Sequence, residues 1–140
     1  MSVATLHVVA AVVERDGSFL VTRRQDGVHL AGLWEFPGGK VAPGESHAEA
    51  LRREMQEELG TDVAVGAVLS TAAHGYEDRH VTLHFYRCDL LGTPQPQLGQ
   101  EMRWVPRAGL RDLGFPPADE ELIDLLTDGP PEGGPYVRRG

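Results

Sequence analysis

The amino-acid sequence predicts an α/β fold in which a central mixed β-sheet is packed between two amphipathic helices. Short valine-rich segments bounded by turn residues recur along the chain, as expected for strands. Two further segments have helical periodicity, and several of the strand segments lie between them. Because each helix must cover its apolar stripe against another layer, this order of elements favours an α/β sandwich.

The first half of the chain predicts a hairpin followed by a long loop. Residues 6–13 are nearly all apolar and indicate a buried strand, and Asp16-Gly17 then supplies a turn into a second strand over residues 18–24. Residues 25–44 contain five glycines and two prolines. We therefore expect this segment to be an ordered loop without regular structure.

The second half predicts two helices and three further strands. Ser46 and Glu49 have the spacing of a capping box and Gly60 stands where a helix would end, so we predict a helix over residues 46–59. Its expected core stripe is Ala48, Leu51, Met55 and Leu59. Strands are predicted over residues 62–71, 80–90 and 102–105, and a second helix over residues 118–126.

Length and composition limit the classes of protein to which this chain can belong. A chain of 140 residues suits one domain, which we expect over residues 1–128, followed by a flexible glycine- and proline-rich tail over residues 129–140. The formal net charge of -8 argues against a nucleic-acid polymer or an anionic membrane as partner. The single cysteine, Cys88, and the absence of a basic leader or a long apolar run predict a cytoplasmic protein.

Three glutamates of the first predicted helix share one face. Glu54, Glu57 and Glu58 fall within a sector of about 100°, beside the core stripe. A solvated acidic surface is one interpretation. A cation site is the other, because like charges at this spacing cost ~0.2–0.5 kcal/mol per pair and no basic residue follows Glu54 in the helix. Carboxylate oxygens favour Mg²⁺ or Mn²⁺, whereas the six histidines are too scattered to predict zinc.

Residues 39–61, which contain these glutamates, read GKVAPGESHAEALRREMQEELGT. The segment resembles the 23-residue box of the Nudix hydrolases and fills each of its fixed positions. Thr61 occupies a final position that is usually aliphatic, a departure that affects packing and not chemistry. The resemblance implies a Nudix-type α/β/α sandwich and a hydrolase that requires a divalent metal ion.

The resemblance also implies roles for individual residues of the box. The expected metal-binding residues are Gly39, through its backbone carbonyl, and Glu54, Glu57 and Glu58. Glu57 is expected to be the central ligand. Glu45 and Arg53 are expected to brace the loop against the helix through an ion pair, and Gly38 to permit the turn before the box.

Outside the box, residues 21–24 and 32–41 are similar to the MutT-type branch of the family, which sanitises nucleotide pools. This similarity implies that Arg24 contacts substrate phosphates, although an exposed arginine at a strand end is the alternative. Lys40 is a second candidate for the phosphates. Phe36 is a candidate for an apolar face against the base, with core packing as its alternative.

Residues 115–119, FPPAD, resemble the segment in which MutT-type enzymes place a base-reading asparagine or aspartate. Here that residue is Asp119, for which helix capping is the alternative role. An ionised Asp119 would accept hydrogen bonds from cytosine N4, from an adenine amino group or from the N1–H and N2 edge of a guanine, and a protonated Asp119 would also suit 8-oxoguanine. The resemblance therefore implies CTP, dCTP or 8-oxo-dGTP as substrate.

One position departs from the MutT-type pattern. Leu98 stands where these enzymes often carry a catalytic or metal-binding glutamate, and Glu101 is the nearest carboxylate. The sequence leaves the general base open between Glu101 and a glutamate of the box. Glu54, Glu57 and Glu101 are thus the candidate catalytic residues.

The expected activity is metal-assisted hydrolysis of a nucleoside triphosphate to the monophosphate and pyrophosphate. Two alternatives remain open at this stage. One is a Nudix hydrolase of ADP-ribose, NADH or a dinucleoside polyphosphate, and the other is a nucleotide-binding regulator without catalysis. The expected partner is a small nucleotide, and the sequence does not decide between a monomer and a homodimer.

Overall fold

The computed structural model describes residues 4–24 and 32–128. Within these ranges the strands are β1 (Thr5–Val12), β2 (Glu14–Arg15), β3 (Ser18–Arg23), β4 (Trp34–Glu35), β5 (Gly38–Lys40), β6 (Val63–Gly75), β7 (His80–Leu90) and β8 (Met102–Pro106). The helices are α1 (His47–Leu59) and α2 (Glu120–Asp128), with 3₁₀ turns at Arg107–Asp112 and Pro117–Asp119. None of the described helices is long and apolar enough to cross a membrane. The predicted tail, residues 129–140, lies outside the described residues.

The strands form two sheets. The first is mixed and has the order β5-β1-β7-β6, with β1 parallel to β7 and the other pairs antiparallel. The second is antiparallel and is centred on β3, which pairs with β2, β4 and β8. The predicted central mixed sheet is therefore confirmed, and the structure adds a second sheet that the chain enters between β1 and β2.

Alternation along β1 divides the core into two layers. Val9 and Ala11 pack with the buried face of α1, which consists of Ala50, Leu51, Met55 and Leu59. Ala10 and Val12 point to the opposite side and pack with Leu122, Ile123 and Leu126 of α2. This arrangement confirms the α/β/α sandwich.

The predicted stripe of α1 was wrong at one position. Ala48 is exposed, and Ala50 is buried instead. Ala48 has the angular position of a core residue, but it lies in the first turn of the helix, ahead of the first buried position at Ala50.

Local sequence signals set the ends of several elements as predicted. The Asp16-Gly17 turn has positive φ at both residues (53° and 80°), which is the conformation that a tight hairpin requires. The turn joins β2 to β3, so the predicted hairpin between residues 6–13 and 18–24 was wrong in its first strand, because β1 pairs in the other sheet. Ser46 and Glu49 form the reciprocal capping box, and Gly60 ends α1 in the left-handed region with φ 64°. The boundaries of α1 therefore follow from its own residues.

The predicted irregular loop over residues 25–44 was wrong in its second half. Residues 32–44 contain the short strands β4 and β5, which pair with β3 and β1, while residues 25–31 lie outside the described part. A side chain on Gly38 would collide with the backbone carbonyl of Val9, so glycine lets β5 lie against β1. Strands of two or three residues carry no periodic signal and form because a distant partner is available.

Candidate active site

The acidic face of α1 lies directly against the backbone of β5. A Cβ atom added at Gly39 would collide with the carboxylate of Glu54. Glycine at this position therefore leaves a carboxylate and a strand backbone in close approach, with no side chain between them. An arrangement of this kind offers carboxylate and carbonyl oxygens to a common ligand.

Arg53 connects the acidic face to the loop before α1. Its Nε and Nη2 donate to the two carboxylate oxygens of Glu45 at 2.7 and 2.9 Å, and Nη2 also donates to the Lys40 carbonyl at 3.0 Å. Its Nη1 donates to Glu54 at 2.8 Å. The hydrogen bonds from Arg53, with a further one from the Ala42 backbone, lower the pKa of Glu45 to about 2. The loop and the helix are thus joined by a charged bidentate pair.

The three glutamates of the acidic face differ in environment. Glu58 is largely removed from solvent, and burial, followed by Glu54 and Glu35, raises the pKa of its carboxyl well above the ordinary range. Glu57 is the most exposed of the three, with 58% of its side chain accessible, and contacts Arg53 at 3.4 Å. A fully solvated acidic surface does not contain such a buried carboxyl, so the solvated interpretation does not describe Glu58.

The donor set fits a hard divalent cation. Within residues 4–24 and 32–128, no group of three acidic, histidine or cysteine side chains is already arranged as a complete metal site. Carboxylate oxygens nevertheless lie beside the Gly39 backbone, and the last turn of α1 contains no basic residue. A cation would compete with the proton that Glu58 holds and would offset the like charges.

A cavity of about 550 Å³ opens over this face. Its lining consists of Thr22, Arg23, Arg24, Glu35, Glu54, Glu57, Glu58, Leu98 and Gln100. Gln100 donates to the carbonyl of Glu58 at 3.0 Å, whereas Leu98 is 56% exposed. Glu101 is not part of this lining, and its carboxylate is paired with Arg23 at 3.0 Å on the surface. The structure thus brings together the predicted residues of α1 but leaves Glu101 beside the cavity.

Arg24 and Glu35 stand between this cavity and a second one. Arg24 Nη1 donates to Glu35 Oε1 at 2.7 Å, and both side chains are about one-third exposed or less. Burial raises the pKa of Glu35 despite the nearby arginine. The sequence analysis did not single out Glu35, although its place between the apolar residues Trp34 and Phe36 is a signal that could have drawn attention to it.

The second cavity, of about 270 Å³, is mostly apolar. Phe36 forms part of its wall, stacked on Phe115 at 5.4 Å and edge-on to Phe85 at 6.1 Å between ring centroids. Lys40 also lines the cavity, together with Tyr76 and Arg79, two residues that the sequence analysis missed. Phe36 thus both packs in the core and borders the cavity, so its two predicted roles are compatible.

Asp119 closes the inner side of the second cavity. It is 3% exposed, and burial, followed by the charge of Glu35, raises its pKa to about 7 even though Arg24 opposes the shift. In the described part of the chain, no backbone N–H of α2 bonds its carboxyl. The helix-capping alternative therefore loses its support, and a buried polar group faces an apolar cavity.

Comparison with known proteins is consistent with this architecture. The chain belongs to the NUDIX domain family, whose model matches residues 8–125. It is 38% identical to the CTP pyrophosphohydrolase of Escherichia coli K12 over 122 residues, or 86% of this chain and 90% of that protein. It is 34% identical to the 8-oxo-dGTP diphosphatase of the same strain over 119 residues, or 84% and 92% of the two chains.

Among solved structures, the chain resembles the solution structure of the E. coli ORF135 protein. The two share 36% sequence identity with a TM-score of 0.80, over 93% of this chain and 96% of that chain. Nudix hydrolases generally need a divalent metal ion, which agrees with the chemistry of the acidic cavity.

Proposed function

We propose that this protein is a Mg²⁺-dependent nucleoside triphosphate pyrophosphohydrolase, with Mn²⁺ as a possible substitute, that removes unwanted nucleotides from the pool. The reaction converts a nucleoside triphosphate and water to the monophosphate and pyrophosphate. One observation carries the proposal: an acidic cavity suited to a metal and phosphates adjoins an apolar cavity suited to a base. Arg24 and Glu35 line both cavities, so one ligand can occupy them together.

The metal-binding residues in this proposal are Gly39, Glu54, Glu57 and Glu58. A bound divalent cation supplies polarisation of the phosphoryl oxygens and lowers the pKa of the attacking water. Arg53 supports the site because its contacts with Glu45, Glu54 and the Lys40 carbonyl hold the loop and the helix in register. Gly38 supports it by allowing β5 to approach β1.

We assign the phosphate contacts to Arg24, whose planar guanidinium lies at the wall shared by the two cavities. Its Nη1 donates to Glu35 at 2.7 Å. Lys40, the second predicted candidate, lines the apolar cavity and not the acidic one, so its contact with a phosphate stays a prediction. Glu35 is a positioning residue, since it orients Arg24 and does not itself provide a donor for phosphate.

The base occupies the apolar cavity in this proposal, against Phe36 and beside Asp119. An ionised Asp119 accepts from the amino group of cytosine, and a protonated one can also donate to a modified guanine. A pKa of about 7 makes both forms available near neutral pH. The two E. coli relatives are named for CTP and for 8-oxo-dGTP, and both bases offer N–H donors to the Asp119 carboxylate.

A glutamate of α1 is the better candidate for orienting the attacking water. Glu54 and Glu57 line the acidic cavity, whereas Glu101 is engaged by Arg23 and does not. Glu101 remains a second candidate, but its carboxylate would first have to break its ion pair with Arg23. Geometry therefore favours the carboxylates that share the cavity with the phosphates.

Replacement of the central carboxylate tests the proposal. In Glu57→Gln, we expect pyrophosphate release from dCTP with Mg²⁺ to fall by about 10²-fold or more, because one charge that holds the cation is lost. Glu121→Gln is the matched control, since Glu121 is exposed on α2 and lines neither cavity. Activity of Glu57→Gln within threefold of the parent would exclude the metal assignment.

The same assay separates the alternatives. Hydrolysis of ADP-ribose, NADH or a dinucleoside polyphosphate in preference to each triphosphate would replace the proposed substrate, and nucleotide binding without turnover would indicate a regulator. A small nucleotide is the proposed partner, with neither a nucleic-acid polymer nor a membrane. The cytoplasmic location, the single domain over residues 1–128 and the choice between monomer and homodimer stay predictions.

A further inference from the structure

Three histidines from different elements meet at the N-terminal end of α1, away from both cavities described above. They are His7 of β1, His47 in the first turn of α1 and His84 of β7, and we call them the histidine cluster. His7 Nδ1 lies 3.1 Å from His84 Nε2. The ring centroid of His47 lies 4.4 Å from that of His84 and 6.5 Å from that of His7.

The sheet register brings these residues together. β1 and β7 are parallel neighbours in which His7 pairs with Thr82 and Val9 with His84, so His7 and His84 lie on the face that α1 covers. His47 Nδ1 forms a hydrogen bond of 2.7 Å with the hydroxyl of Tyr86 on the same face. The cluster therefore joins the beginning of α1 to two strands of the mixed sheet.

The surroundings of the cluster disfavour additional positive charge. A cavity of about 470 Å³ beside it is lined by Lys40 of β5 and by Glu45 of the loop before α1. The two carboxylate oxygens of Glu45 are already bonded to Arg53, so its charge is offset. The N-terminus of α1 adds the positive end of the helix dipole.

Two further groups that face the cluster carry no formal charge. Tyr86 comes from β7, and β6 places Thr71 opposite His84 in the sheet. Burial, followed by the nearby His47 and His7, lowers the pKa of His84. A second proton on the cluster would therefore meet like charges within about 5 Å, and Glu45, the carboxylate among the described residues that line the adjoining cavity, is already bonded to Arg53.

We propose that the histidine cluster is an acid-sensitive latch that holds the N-terminal end of α1 on the sheet. When the imidazoles are neutral, His7 and His84 share a hydrogen bond and His47 is held by Tyr86. When the cluster is protonated, mutual repulsion loosens the first turn of α1. Because α1 also carries Glu54 and Arg53, loosening of its first turn disturbs the acidic cavity.

The direction of the pH effect follows from proton binding. The unfolded chain binds protons at His84 with an ordinary histidine pKa, whereas the folded protein binds them less readily. Acidification below about pH 6.5, the histidine pKa in the unfolded chain, therefore favours the unfolded state. The free energy of unfolding continues to fall until the pH reaches the lower pKa of His84 in the folded protein. The effect is absent at pH values where both states are neutral.

Denaturant unfolding of the full chain at about pH 7.5 and about pH 5.5, with EDTA in both buffers, tests this proposal. Between these values we expect the unfolding equilibrium constant to rise more in the wild type than in His84→Gln, by a factor of up to about ten. His80→Gln is the matched control, because His80 is exposed on the same strand and lies outside the cluster. It should retain the wild-type dependence on pH, and an equal rise in all three proteins would overturn the proposal.

A second measurement on the unmodified protein guards against a variant that fails to fold. NMR titration of the imidazole resonances should place the protonation of His84 below the ordinary histidine value of about 6.5. Hydrogen exchange of the first-turn amides of α1, corrected for its intrinsic pH dependence, should accelerate on acidification. Titration of His84 at the ordinary histidine value would overturn the proposal, as would unchanged protection of these amides.

Discussion

The guanidinium of Arg24 and the carboxylate of Glu35 lie 2.7 Å apart at the wall between the acidic cavity and the apolar cavity. Arg24 directly follows β3 and Glu35 is the last residue of β4, and the two strands are paired in register through Thr22 with Glu35 and Arg23 with Trp34. A ligand that spans the two cavities must pass this ion pair. Its charge state therefore influences both the phosphate end and the base end of the site.

Removal of the Glu35 charge should impair substrate binding. In Glu35→Gln, the hydrogen bond from Arg24 loses its charged acceptor, from a total worth ~1.5–3 kcal/mol, so Arg24 is held less firmly in its orientation. We expect kcat/KM for dCTP to fall about ten- to a hundredfold, mainly through KM, because Glu35 acts on Arg24 and not on the reacting atoms. Glu120→Gln, an exposed glutamate of α2, is the control. An unchanged KM would exclude the positioning role.

The preference among bases should depend on pH through Asp119. Its pKa of about 7 means that the carboxyl is a donor and acceptor below this value and only an acceptor above it. We predict that the ratio of dCTP to 8-oxo-dGTP hydrolysis changes between about pH 6 and about pH 8, as the carboxyl loses its proton. In Asp119→Asn, the ratio should be lower than in the parent and should not vary with pH. If Asp119→Asn hydrolyses CTP, 5-methyl-dCTP and dGTP in the same ratios as the parent, Asp119 does not take part in base recognition.

Burial of Asp119 also affects stability. Because the pKa of Asp119 is raised in the folded protein, ionisation of its carboxyl costs more free energy in the folded state than in the unfolded state. The free energy of unfolding is therefore highest below the unfolded pKa of about 4 and falls as the pH rises toward 7. Asp119→Asn removes the ionisation. We therefore expect this variant to gain more thermal stability, relative to the parent, at pH 8 than at pH 5. A gain of the same size at both values would contradict the raised pKa.

Gly39→Ala should lower the affinity for metal by more than it lowers the stability of the fold. The added Cβ would collide with the carboxylate of Glu54, which must then leave the β5 backbone. We expect affinity for Mn²⁺, measured by calorimetry, and activity with Mg²⁺ each to fall by about 10²-fold. Gly109→Ala is the control, since a Cβ there meets the Val105 side chain at 3.4 Å, an ordinary contact. Wild-type metal affinity in Gly39→Ala would contradict the assignment.

A carboxylate placed at Leu98 should strengthen metal binding. Leu98 lines the acidic cavity and is 56% exposed, so Leu98→Glu adds negative charge at its mouth at little cost in packing. We expect the Mg²⁺ concentration for half-maximal activity to fall several-fold. Leu91 is 64% exposed and lies outside the cavity, so Leu91→Glu adds the same charge elsewhere. This control should leave the Mg²⁺ concentration for half-maximal activity unchanged. Equal responses of the two variants would show a general charge effect instead.

Much of the fold could be predicted because its signals are local. The capping box of Ser46 and Glu49 and the left-handed Gly60 act within a few residues, so the limits of α1 follow from the sequence. The strands β4 and β5 could not be predicted, since their few residues become strands through pairing with β3 and β1. The exposure of Ala48 likewise depends on where the first turn of α1 lies relative to the sheet.

For the site, the acidic face could be predicted from residue order alone, because residues at helical spacing share a face whatever the rest of the chain does. Packing of distant segments was needed to show that Gly39 lies under Glu54, that Glu35 pairs with Arg24, and that Asp119 is buried. These relationships join segments far apart in the chain, and the pKa values of Asp119 and Glu58 depend on how much water the packed layers exclude. The sequence specifies the chemistry of each side chain, whereas the distances between side chains and their exposure to water are set when the layers pack.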